Sequence, residues 1–364
     1  MQDRAAESKG KASSVRPERR AAESKGALRA AVGLALGVAA AVLVAWSLGV
    51  SRAELAHELA RARLGPLAIA AGGAIALLAL QALRWSLVMR PAVGLGYAPA
   101  FQAMAVGFLF NVALPARGGD LLRVQYLGKR TGISRAKLLG TELVDFGCDK
   151  LGWLLAFPVL CLFGPPPRWI FRAVAFIGGF GALAVLVLVL MASRLGRAGR
   201  DGRPWGPRWL ADLRGGFAVS GWKRLLSIQL AVAPLPWLWE TAVLVWAGGA
   251  VGLALEPMQA FSVLTAFNVA TAVPSPGNAG SFEAGGTLAL TAFGVPHDTA
   301  LTFILLYHLT QVVPSCALGA LVLAAQGERI FGAKGLLHLG AVVPLAPAAR
   351  ADAATRDPAG DRAS

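Results

Sequence analysis

Several stretches of this chain run 20 residues or longer without a charged side chain, among them Ala30–Val50, Leu64–Leu83, Ala173–Ser193 and Thr299–Gly327. About 20 apolar residues in helical conformation cross the hydrocarbon core of a bilayer. Inside that core every backbone polar group must be satisfied by the segment itself, which admits helices and closed barrels. Runs this long predict helices, so the chain is expected to be an all-α polytopic membrane protein. Only 15% of its residues are charged and its mean hydropathy is +0.58, against roughly 25% charged residues in a soluble domain. An ordinary soluble enzyme is excluded.

The hydrophilic pieces are short. Residues 1–26 form a basic tail in which Arg-Ala-Ala-Glu-Ser-Lys-Gly occurs at 4–10 and again at 20–26. Such polar, low-complexity sequence predicts disorder. The apolar run behind it exceeds a signal-peptide core, so it is expected to remain as the first membrane helix. Residues 328–364 are expected to be a second, mostly disordered tail, leaving 27–327 as the membrane domain. The net charge of +15 does not point to nucleic acid, because the basic residues flank apolar runs in the pattern that orients membrane proteins. The cysteines Cys148, Cys161 and Cys316 lie in apolar segments without metal-ligand or disulfide spacing. No nucleotide loop, metal motif or hydrolase constellation is present, and no catalytic residue, metal or cofactor is expected.

Segment 117–137 carries Arg117, Arg123, Lys129, Arg130, Arg135 and Lys137 against Asp120, and 194–224 carries eight basic residues against Asp201 and Asp212. Both belong in the cytoplasm by the positive-inside rule, whereas 252–258 and 294–298 have no Lys or Arg and belong outside. With the basic N-terminus also inside, these sides fit only if 97–116 enters the membrane and turns back. Full crossings are then expected near 27–50, 66–88, 138–163, 169–192, 225–252 and 299–325, with a second broken segment at 259–294 and both termini cytoplasmic. Nine crossings with an outside N-terminus is the alternative, at the cost of leaving the basic tail outside.

The two broken segments echo each other. Phe-Asn-Val-Ala occurs at 110–113 and at 267–270, and each copy is followed by proline, then glycine, then an acid, Asp120 or Glu283. Paired interrupted segments point to the substrate site of an inverted-repeat transporter. Asn111, Leu114-Pro115-Ala116-Arg117-Gly118, Asp120 and Arg123, with Pro276-Gly277, Gly280, Phe282 and Glu283, resemble the two signatures of the lysylphosphatidylglycerol synthase transmembrane-region family, a flippase-like membrane domain. The resemblance covers about residues 28–327. Asp120 stands where the family more often has Glu, and Asp145-Phe146-Gly147-Cys148-Asp149 lacks the basic residue often found there. No soluble aminoacyl-transfer domain accompanies the membrane region, so the resemblance implies lipid handling without lysyl transfer.

Candidate substrate-binding residues are Asn111, Arg117, Asp120, Arg123, Asp145, Asp149, Glu240, Asn268 and Glu283. Arginine forks fit phosphate oxygens, which makes Arg117 the first candidate for a headgroup phosphate; a buried ion pair that holds the hairpin is the competing reading. Glu142, Asp145 and Asp149 share one helix face and pair either with Arg117, Arg123 or Lys150, or with a proton or cation in a cavity. His308 and Gln311 are expected to bond between helices. The expected activity is binding and translocation of a lipid or polyprenyl-linked headgroup, anionic or zwitterionic, in the cell membrane. A non-transporting accessory subunit of a membrane transferase and an intramembrane lipid-modifying enzyme are the alternatives. In intact cells, single cysteines at 194–224 should react only with cytoplasmic reagents and cysteines at 253–257 only with external ones; external labelling at 124–134 would contradict the re-entrant topology.

Overall fold

The protein was analysed as a computed structural model, which describes residues 62–114, 118–179, 208–217, 222–273 and 275–330. The expected N-terminal tail, the expected C-terminal tail beyond residue 330, the crossing at 27–50, most of that at 169–192, and Arg117 lie outside the described residues; residues 328–330, expected in the tail, continue the last helix. Among the described residues all regular structure is helical. Four helices among the described residues are long and apolar enough to cross a membrane: Leu64–Val93, Arg135–Phe163, Lys223–Gly248 and His297–Ala325. They correspond to four of the expected crossings, and the chain is an all-α polytopic membrane protein.

Helix α1 (Leu64–Val93) ends at Gly94, whose φ of 73° turns the chain while its N–H caps Arg90 O. Left-handed backbone there favours glycine. Helix α2 (Tyr97–Ala113) then enters the bundle, and α3 (Gly118–Thr131) leads back out beside it. At 1.5 Å per residue α2 reaches only about 25 Å, short of a crossing. The pair is a helical hairpin, the shape that re-entrance requires. Its arms touch through glycine: a Cβ on Gly119 would collide with the Gly107 carbonyl and the Asn111 amide.

Helix α4 (Arg135–Leu160) is the second long span. Beyond it α5 (Arg208–Phe217) packs on α4, and the third span is broken into α6 (Trp222–Val232) and α7 (Pro234–Gly248). Pro234 has no N–H to continue the ladder, which kinks the helix there. The kink seats against Gly152 of α4, where a Cβ would overlap the Ala233 carbonyl.

The second hairpin is α8 (Pro257–Ala270) and α9 (Ser281–Ala292), joined by a turn that includes the 3₁₀ residues Pro276–Asn278. Gly285 takes the role of Gly119, since a Cβ would overlap Ala270 and Phe267. Helix α10 (His297–Ile330) packs against both hairpins. Both copies of Phe-Asn-Val-Ala are therefore the last four residues of an inbound helix, α2 or α8.

Each hairpin carries its own apolar cluster. Trp85, Met89, Met104, Tyr126, Leu127 and Leu138 surround the first, and Trp153, Phe261, Leu264, Phe267, Phe303 and Tyr307 surround the second. Lipid tails are as apolar as these side chains, so close packing rather than water exclusion holds the bundle, with small residues letting backbones approach. Gly152→Ala should therefore lower stability by about 1–3 kcal/mol through overpacking, read as a fall in melting temperature in detergent; an unchanged melting temperature would show that the kink does not depend on that contact.

Candidate functional site

The tips of the two hairpins face one cavity of about 200 Å³. Asn111, Val112 and Asp120 reach it from the first hairpin, and Asn268, Thr271, Gly277 and Asn278 from the second. Gln81, Glu240, His308 and Gln311 complete the polar wall from α1, α7 and α10. A second cavity of about 120 Å³ adjoins it through Gln81, Met104, Asp120, Arg123, Glu240 and Asn268. Its other walls carry Arg84, Glu142, Asp145, Asp149, Lys150 and Trp237.

Arg84 organises the charged side. Its Nε and Nη2 donate to the two carboxylate oxygens of Asp145 at 2.9 and 3.1 Å, and Nη1 donates to Asp149 at 2.6 Å. The Arg84 and Asp145 side chains are almost fully buried. A fork on a carboxylate is the geometry that arginine's planar head favours. Lys150 donates to the other Asp149 oxygen at 2.8 Å. The backbone is fixed as well, because Gln229 Nε2 donates to Arg84 O and Trp237 Nε1 donates to Asp149 O, both at 3.1 Å. Sequence reasoning missed Arg84. It closes an uncharged run and reads as a residue at the membrane surface.

Arg123 forms the second centre. It pairs with Glu142, lies 3.6 Å from Asp120, and its guanidinium sits 5.0 Å from the Trp85 ring centroid. Asn111 Nδ2 donates to Asp120 Oδ1 at 3.0 Å, tying the inbound arm to the return arm. The three acids on one face of α4 are thus met by Arg84, Arg123 and Lys150, the ion-pair reading of that face with one partner that the sequence did not reveal.

Glu283 does not line either cavity. It is buried, its Oε2 accepts the Gly280 N–H at 2.8 Å, and its Oε1 shares a 2.5 Å hydrogen bond with His308 Nδ1. Phe282 stacks on the His308 ring at 4.3 Å. Glu283 therefore shapes the second tip from behind, while His308 faces the cavity. Glu240 lines both cavities and has no hydrogen bond or ion pair among the described residues. Asn268 also lines both, with Nδ2 donating to Leu264 O at 2.9 Å.

Together the described walls present five carboxylates, Asp120, Glu142, Asp145, Asp149 and Glu240, and three cations, Arg84, Arg123 and Lys150. Ionisable groups at membrane depth are tolerated where they pair with one another or face water. These do both. Such a lining can accommodate a polar, charged group.

Replacing Arg84 by Met would leave the buried Asp145 without its fork and the part-buried Asp149 with Lys150 alone, a loss of roughly 3–5 kcal/mol. Adding Asp145→Asn should recover part of it. Melting temperatures of wild type, Arg84→Met and the double variant test this; equal stability of wild type and Arg84→Met would remove the pairing from the fold's foundations.

Comparison with known proteins bears on the same region. Residues 30–319 match the family model described as the lysylphosphatidylglycerol synthase TM region. No curated protein matches the chain.

Proposed function

We propose, from the premise that this chain belongs to the lysylphosphatidylglycerol synthase transmembrane-region family, that the paired cavities bind a lipid headgroup inside the membrane and pass it between leaflets. Membership makes lipid handling the general business of the chain. The observation that carries the finer reading is the meeting of both hairpin tips at one charge-lined cavity within a bundle of membrane-spanning helices. A static ion-pair core would need no void. A headgroup must shed water to enter the bilayer, and fixed charges and amides replace that hydration.

In this reading Arg123, on the return arm of the first hairpin, meets the phosphate. Arg117, immediately before that arm, supplies a second fork. Glu240 meets a positive group or proton that travels with the headgroup. Asn111, Asp120 and Asn268 hold the two tips in register around it, and Asp145 and Asp149 hold Arg84. Glu283 positions His308. Release to either leaflet follows from moving one hairpin against the other, as inverted-repeat transporters move around a fixed site. The substrate is a phospholipid or a polyprenyl-linked headgroup, anionic or zwitterionic, and the site of action is the cell membrane.

The test is movement of labelled phospholipid across liposomes containing the purified protein alone. Wild type should equilibrate the two leaflets. Arg117→Lys and Glu240→Gln should retain the wild-type melting temperature and lose at least tenfold in rate, about 1.4 kcal/mol in the barrier. Wild-type rates in both variants, or no movement by the wild type, would contradict the proposal. A chemically altered headgroup in the same assay would favour the lipid-modifying alternative.

A further inference from the structure

The charges around the two cavities do not cancel. Their described walls hold five carboxylates and three cations. All three cations are engaged. Arg84 directs Nε, Nη1 and Nη2 at Asp145 and Asp149. Lys150 Nζ donates to Asp149 and lies 5.1 and 5.6 Å from the ring centroids of Phe146 and Trp237. Arg123 pairs with Glu142 and lies 3.6 Å from Asp120, which also accepts from Asn111. Glu240 is the remaining acid. It stands where the two cavities adjoin, half-buried, with no hydrogen bond or ion pair among the described residues.

Every helix packed against that position adds to its surroundings. From α4, Asp149 stands within electrostatic range of Glu240, with Lys150 turned to Asp149 and with Asp145 and Glu142 already paired. Helix α1 contributes Gln81 and the engaged Arg84, α3 contributes Asp120 and the engaged Arg123, and α8 contributes Asn268. From α10 come His308, tied through Nδ1 to Glu283, and Tyr307, whose hydroxyl is buried. Helix α6 places no residue on either cavity. A carboxylate at membrane depth without a cation is costly, and such a group becomes neutral by taking a proton.

An arriving phosphate adds a further negative charge to the same walls. One proton on Glu240 restores the charge the walls carried before the headgroup entered. A metal cation does not suit the position. It requires several converging oxygens, and among the described residues no group of three His, Cys, Asp or Glu side chains is placed to hold one. A proton needs a single oxygen that borders a cavity.

We propose that Glu240 is the proton-binding site of a proton-linked lipid transporter: an anionic headgroup enters the cavity with one proton, which the Glu240 carboxylate takes from water and returns to water when the headgroup leaves. This rests on the headgroup-binding reading above and names the ion that accompanies the headgroup. Headgroup and proton then strengthen each other's binding, because linkage between two ligands is reciprocal. The linkage also provides a driving force. Protons moving down their gradient carry the headgroup in the same direction, without a nucleotide site in this chain. Glu240→Gln imitates the protonated state permanently, so it binds the headgroup but releases it slowly.

The experiment titrates short-chain phosphatidylglycerol into the purified full chain in detergent, by calorimetry, in one-unit steps from about pH 5 to about pH 9. Buffers of different ionisation enthalpy count the protons exchanged. Wild-type affinity should fall as pH rises, by up to about tenfold per unit where Glu240 ionises, with up to one proton taken up per lipid there. Glu240→Gln, at the wild-type melting temperature, should bind at every pH as the wild type does in acid and take up no proton. Replacing sodium by choline at fixed pH should change nothing. A flat wild-type profile without proton uptake would overturn the proposal and leave headgroup binding standing; that outcome needs no variant. A pH dependence that persists in folded Glu240→Gln, placing the proton on another group such as His308, would overturn it too, as would an affinity that follows sodium. If wild type binds phosphatidylglycerol at no pH, the headgroup-binding reading falls and the proton site with it.

Discussion

Arg84 forks onto Asp145 and reaches Asp149 in the same grip, and the geometry of the bundle is referenced to that contact. It joins α1 to α4 across the charged end of the cavity. Its backbone carbonyl receives Gln229 from the kinked span, and the next residue, Trp85, donates to Thr141 at 3.2 Å and lies beneath Arg123. Through Arg123 and Glu142 the first hairpin is fixed to the same pair of helices. In a hydrocarbon surrounding, an unmatched charge has nowhere to go. Each ion pair therefore specifies one arrangement of helices, whatever its net contribution to stability.

The hairpins repeat one solution to a common problem. A chain that stops short of crossing exposes amides and carbonyls at its turn, and these need partners. Each return helix begins with an acid, Asp120 or Glu283. A carboxylate in the first turn is favoured by the helix dipole. Asp120 accepts from Asn111 within its hairpin, whereas Glu283 accepts from Gly280 and reaches His308 on α10. Each acid thus tightens its own tip, and the asparagine ahead of it faces the cavity. Glycines at matching places, Gly119 and Gly285, let the arms close.

Much of this was legible in the sequence. Uncharged runs marked two of the described spans, Leu64–Val93 and His297–Ala325, because bilayer thickness fixes their length. Proline and glycine with a repeated tetrapeptide marked the hairpins, and the rule that basic loops stay inside required one of them to turn back. Four of the candidates, Asn111, Asp120, Asn268 and Glu240, line a single cavity. Arg84 was not legible. Its partners lie 61 and 65 residues away, and one charge at the end of an apolar run looks like an interfacial anchor. Glu283 was placed in the site by its motif, yet its side chain turns back to His308; a motif fixes a residue's neighbourhood and not which way its carboxylate points. The amides at Gln81, Asn278 and Gln311 are scattered over three elements, and only tertiary packing gathers them.

The central claim is that the void between the hairpin tips is a headgroup site. An experimental structure in lipid nanodiscs tests it most directly. The account predicts density for a headgroup in the cavity, with its phosphate within hydrogen-bond distance of Arg123 and its acyl chains leaving the bundle toward lipid. Ordered water alone in the cavity, with every lipid confined to the outer surface of the bundle, would contradict it.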